Sequence, residues 1–112
     1  MTTPHLIAES MEDTLEDLDH LVDEMAKAGK HLAHAEREYK VAFAKARIRG
    51  RAEGLKTVDA VNDAATVECA DLLFSYTLAQ STMQSCREAL RATEARLDAL
   101  RSLSASIRGA GG

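Results

Sequence analysis

Apolar residues recur along this 112-residue chain at alternating spacings of three and four, in two separate tracts. The first reads Ile7, Met11, Thr14, Leu18, Leu21, Met25, Ala28, Leu32, Ala35, Tyr39, Ala42 and Ala46. The second reads Cys69, Leu72, Tyr76, Ala79, Met83, Cys86, Leu90, Thr93, Leu97, Leu100, Ser104 and Ile107. That rhythm gathers one stripe on one side of an α-helix. Sustained through heptad after heptad, it predicts coiled-coil packing rather than an ordinary surface helix.

Between the tracts, Gly50 and Gly54 predict that the first helix stops near one of them, because glycine enters the left-handed region at little cost. Thr57 is the predicted N-cap of the next helical piece, with Ala60 three residues on, so no capping box forms. Val58–Ala65 reads as a short helix or helical turn, and Thr66 as a second candidate cap. Residues 1–8 and 109–112 are expected to be disordered flanks. Gly29, inside the first tract, costs about 1 kcal/mol against alanine; it marks a close helix approach or a soft point.

Two helices of about 40 residues, each roughly 60 Å long, joined by a short connection must run antiparallel. The expected fold is therefore all-α, a single-domain, long antiparallel helical hairpin of coiled-coil type. Extra apolar positions (Leu15, Val22 and Phe43 in the first tract; Leu73, Phe74 and Leu103 in the second) widen the stripes. A bare hairpin leaves such positions wet. The sequence accordingly predicts a homo-oligomer, a helical bundle or ring.

Composition agrees with long helices. Aromatics make up 4% of the chain, tryptophan is absent and charged residues reach 29%. The net charge of −4 conceals a segregation: residues 1–26 carry eight acids and no Lys or Arg, whereas residues 27–56 carry nine Lys or Arg against three acids. Such an acidic arm beside a basic block bears on partners more than the total does. The first Lys or Arg is Lys27, so no basic leader region precedes an apolar stretch. The longest uncharged run, Leu72 to Cys86, is 15 residues and includes Ser, Thr and Gln, too short and polar for a membrane span. A cytoplasmic location (the host cytoplasm for a phage-encoded chain) without membrane contact is the expectation. Cys69 and Cys86 sit about 25 Å apart if on one helix, beyond the reach of a disulfide. They are expected to be reduced core thiols.

The chemistry centres on Lys40, Lys45, Arg47, Arg49, Arg51 and Lys56, set against the single acid Glu53. Lys40, Arg47 and Arg51 repeat at i, i+7 and i+11 on one helical face, with Arg37 and Lys45 flanking it. Cations at helix-turn spacing suit a phosphate backbone. Tyr39 falls on the apolar seam and is assigned to the core rather than to base stacking. The seam itself is expected to run through Leu18, Leu21, Met25, Leu32, Tyr39, Leu72, Tyr76, Met83, Leu90, Leu97 and Leu100. The acidic arm reads as a solvated face, with a nucleic-acid mimic or a strip covering the basic block as alternatives. His20, His31 and His34 lack the Glu-x-x-His pattern of a ferritin-like site and read as surface residues. No phosphate loop, nucleophile elbow or Cys-x-x-Cys pair occurs. The expectation is no enzyme, no metal and no cofactor.

The pieces Glu38-Tyr39-Lys40, Ala44-Lys45-Ala46-Arg47 and Lys56-Thr57-Val58, followed by the run VECADLLFSYTLAQSTMQSCREAL, resemble phage recombination mediator proteins of the UvsY type. The likeness spans residues 35–108 and leaves out the acidic arm. It implies a small helical protein that forms ring-like oligomers, binds single-stranded DNA and helps load a recombinase onto strands coated by single-strand-binding protein. The family's basic cluster falls on Lys40, Lys45 and Arg47. The connection Arg49–Gly54 has no aromatic residue, so the implied contacts are to phosphates. The alternative of another class is a coiled-coil interaction or inhibitory module, phage-type, that binds a host protein. A secreted hairpin effector lacks its Trp-x-Gly turn here, and a ferritin-like oxidase lacks its ligands.

Overall fold

The computed structural model describes residues 4–111. Three helices account for nearly all of them: α1 (Pro4–Ala52), α2 (Val58–Glu68) and α3 (Ala70–Gly111). The fold is all-α, a helical hairpin with no strand among the described residues. Packing divides the chain into two compact units. One joins the described parts of Met1–Lys27 and Gln84–Gly112, the other is Ala28–Met83.

In both units the predicted seam is the packed surface. Every seam position from Ile7 to Ala46 and from Cys69 to Ile107 is buried or half-buried. Complete burial goes mostly to small side chains (Ala28, Ala35, Ala46, Ala65, Cys69 and Ala79), joined by Ile7, Val61 and Leu97. The larger seam residues, including Leu18, Leu21, Met25, Leu32, Leu72, Met83, Leu90 and Leu100, remain half-buried, because a two-helix contact covers only one side of each helix.

In the first unit, two seam positions are threonines. Thr14 is 2% exposed and Thr93 8% exposed. Each satisfies its hydroxyl locally, Thr14 Oγ1 donating to Ser10 O at 2.7 Å and Thr93 Oγ1 to Ala89 O at 2.9 Å. Such bonds to the carbonyl four residues back let a polar residue occupy an apolar stripe. Arg96 Nη2 meets Asp17 Oδ2 at 2.8 Å from the facing helix, which fixes the antiparallel pairing there.

In the second unit, Tyr39 stacks on Tyr76 with ring centroids 5.8 Å apart and meets Phe43 at the same distance, tilted by 49°. Beyond the aromatics, Ala46, Ala65 and Cys69 form a buried cluster against Tyr39, Ala42 and Phe43. The turn comes directly after. Leu55 N donates to Gly50 O at 3.0 Å and Gly54 N to Arg51 O at 3.2 Å. Gly54 adopts φ 99°. These two bonds and the left-handed glycine make a Schellman ending. Leu55 then folds back over Gly50, where an added Cβ would stand 3.1 Å from Leu55 Cδ1. Thr57 caps α2, its Oγ1 accepting from Ala60 N at 3.1 Å.

The structure differs from several sequence expectations. Residues 4–8 and 109–111 are helical, with Pro4 at the first helical position, where its missing N–H costs nothing; residues 1–3 and 112 lie outside the described part. Thr66 caps nothing: it lies inside α2 and donates to Asn62 O at 2.8 Å. The break falls at Cys69, whose N–H bonds Ala65 O while its own carbonyl accepts from Leu73 N. Gly29 marks no close approach, since a Cβ there would meet Met83 Cε at an ordinary 3.8 Å.

Both glycines give a stability test by urea unfolding. Gly29→Ala is expected to raise stability by up to about 1 kcal/mol through helix propensity, and Gly54→Ala to lower it by about 1 kcal/mol through its left-handed backbone. Cys69 is buried and Cys86 half-buried, both free. In the folded protein a thiol reagent should therefore modify Cys86 first, with Cys69 following only on unfolding.

Candidate nucleic-acid interface

The six cations stand at the end of α1 and in the loop after it. Residues 39–52 contain five Lys or Arg and no acid, whereas residues 57–86 contain four acids and no Lys or Arg. The second unit therefore has a basic helix and an acidic one facing each other. Arg49 and Arg51 occupy the last turn of α1, where the helix dipole favours positive charge.

The cations do not form one patch. Lys40, Arg47 and Arg51 share a flank of α1, as the i, i+7, i+11 spacing requires. Lys45 and Arg49 are each two residues from Arg47, about 200° around the helix, so they share the opposite flank. The expectation that Lys45 flanks the first group is corrected by this geometry. Arg49 identifies the second flank in space, since its guanidinium is hydrogen-bonded to Glu68 at the end of α2. Lys56 stands in the exposed loop beyond Gly54.

Their electrostatic states differ too. Glu36 accepts from Lys40 Nζ at 2.6 Å, and that hydrogen bond and charge hold the ammonium above its ordinary range. Glu68 likewise raises the Arg49 guanidinium. Both groups are cationic throughout the physiological range with or without these shifts. Lys45, Arg51 and Lys56 have no ion pair among the described residues. Arg47 is half-buried, and its Nε is enclosed with no hydrogen-bond partner among the described residues. A buried N–H of a permanent cation left unpaired is costly, and its enclosure leaves only the terminal nitrogens of Arg47 for an acceptor arriving from solvent.

Sequence reasoning missed the Arg49–Glu68 pair and the enclosed Arg47 Nε. Both depend on which flank of α1 faces the return helices. The remaining candidate chemistry is sparse. Among the described residues no group of three or more His, Cys, Asp or Glu could hold a metal. His34 leans on Glu38 at 3.4 Å, while His20 and His31 are exposed. Ser10, Asp13, Thr14, Asp17 and Arg96 line a shallow open concavity in the first unit, but Asp17 already holds the guanidinium there. No helix among the described residues is long and apolar enough to cross a membrane.

Comparison with protein-family models, curated proteins and solved structures finds no match for this chain.

Tyr39 is held between Phe43 and Tyr76, so its ring serves the seam and is not free to stack on a base. Tyr39→Ala should cost about 2 kcal/mol or more in urea unfolding. The same variant, assayed well below its unfolding midpoint, should leave any nucleic-acid affinity within about twofold, because no phosphate contact is lost.

Proposed function

We propose that this is a non-enzymatic, nucleic-acid-binding accessory protein of recombination-mediator type. It contacts the phosphates of single-stranded DNA through the α1 flank bearing Lys40, Arg47 and Arg51, with Lys56 extending the track. The observation that carries the reading is the acid-free run 39–52, in which Arg51 has no ion pair among the described residues. Phosphate oxygens accept from guanidinium and ammonium groups, and helix-turn spacing sets successive cations along a backbone. Lys45 and Arg49, on the other flank, contribute to the general field rather than to the same track. In this role the protein would work in the cytoplasm beside a recombinase or a single-strand-binding protein.

The test is a fluorescence-anisotropy titration of a short single-stranded oligonucleotide across a salt series. Three to four phosphate contacts predict a slope of log K against log salt of about −2 to −3. Arg47→Ala combined with Arg51→Ala and Lys56→Ala should flatten that slope and weaken binding by more than tenfold, about 1.4 kcal/mol. Absence of binding at low salt, or an unaltered slope in the triple variant, rejects the proposal.

A further inference from the structure

The seam accounts for one side of each helix in the second unit, and the opposite sides are not bare polar surface. On α1, Val41 and Ile48 lie seven residues apart on the face turned away from the seam, with Ile48 64% exposed. On the return side, Val67 at the end of α2 and Phe74 and Leu78 on α3 do the same; Val67 is 80% and Phe74 69% exposed. Apolar side chains of this size at i, i+7 and i+11 make a docking stripe when they point outward.

The two stripes have opposite borders. Arg37 and Lys45 edge the one on α1, inside the acid-free run 39–52 or just before it. Asp63 and Asp71 edge the one on α2 and α3, within a segment that has no Lys or Arg. None of these four charges is in an ion pair among the described residues. The chain thus carries, on opposite sides of one unit, a basic-edged apolar face and an acidic-edged apolar face.

Their registers also match. Inside the chain, Tyr39 stands opposite Tyr76 and Ala46 packs in one cluster with Cys69, so facing residues have numbers that rise on one helix as they fall on the other. A second copy placed beside the first in the same orientation repeats that relation outward. Val41 then meets Phe74 of the neighbouring copy, Ile48 meets Val67, and Lys45 comes to the same edge as Asp71. The edge assignment obeys the rule that brings Arg49 to Glu68 within the chain: side chains displaced by the same angle from facing stripes of antiparallel helices fall on one edge.

We infer that copies of this chain associate head to tail, the outer face of α1 on one copy seated against the outer face of α2 and α3 on the next. Such an interface is heterologous. It joins two different surfaces, so each copy retains one free face after the first contact and the assembly extends in one direction. The partner is therefore this same chain, selected by apolar stripes of equal register and borders of opposite sign. The inference does not involve the nucleic-acid track, and it is tested without nucleic acid.

The experiment is sedimentation velocity or light scattering over a concentration series, on wild type, Ile48→Asp, Phe74→Asp and an equimolar mixture of the two variants. All substituted positions are solvent-exposed, and circular dichroism establishes that each variant stays helical. Wild type should self-associate, and each variant alone should lose that association by roughly tenfold or more in affinity. The mixture should recover a one-to-one heterodimer and nothing larger, because each variant supplies the face the other has lost. In a second arm, Lys45→Glu and Asp71→Lys should each weaken association, and the double variant should restore it. A monomeric wild type, self-association unaltered by either single variant, or a mixture that fails to form the one-to-one species overturns the inference. Growth of the mixture beyond two copies also overturns it.

Discussion

A pair of long helices has only one shared surface, and the rest of this protein's architecture is dictated by how thin that surface is. Each helix gives the contact one stripe, so large side chains there are covered on one side and wet on the other. Full burial is reached mainly where residues are small enough to sit between the two backbones, as at Ala28, Ala35, Ala46, Ala65 and Ala79. These side chains bring little apolar area individually, at about 25 cal/mol for each square ångström removed from water. The aromatic group of Tyr39, Phe43 and Tyr76 therefore has disproportionate weight in its unit, since aromatic side chains bring the largest areas to a contact. It stands next to the Ala46–Ala65–Cys69 cluster, and the small residues there let the chain turn tightly through Gly50 to Thr57.

The same thinness explains why polar chemistry is settled locally. With no third layer to supply partners, Thr14 and Thr93 turn their hydroxyls to carbonyls of their own helices. Most ion pairs are between residues three or four apart on one helix, as with Lys40 and Glu36. Among the described residues, only Arg96 with Asp17 and Arg49 with Glu68 reach from one helix to another. All of these pairs are exposed, where such contacts contribute little to stability. Their service is to pin register, which a smooth alanine-rich seam specifies weakly.

Much of this architecture is legible in the residue order alone. The three-four spacing identifies the packed face of both long helices because that face is a local, periodic property of the chain. Thr57 announces its cap, and the left-handed turn is narrowed to Gly50 or Gly54, for the same reason. The break at Cys69 is not legible, since neither glycine nor proline marks it and Thr66 carries the more conventional signal. The division of the basic residues is recoverable in principle, because Lys45 and Arg49 are out of phase with Arg47. What the spacing does not supply is the identity of the carboxylate awaiting Arg49. That pairing depends on how α2 returns beside α1, a relation between residues far apart in the chain. The same tertiary placement encloses the Nε of Arg47.

The placement of the lysines has a practical chemical corollary. All five lysines (Lys27, Lys30, Lys40, Lys45 and Lys56) precede Thr57, and α2 and α3 have none. Reagents that bridge two amines can therefore register only proximity between α1 regions or the loop after them. Juxtaposition of one copy's first helix with another's return helices would escape them entirely. A zero-length coupling of amine to carboxylate reaches those contacts, because the return helices carry acids such as Asp63, Glu68 and Asp71.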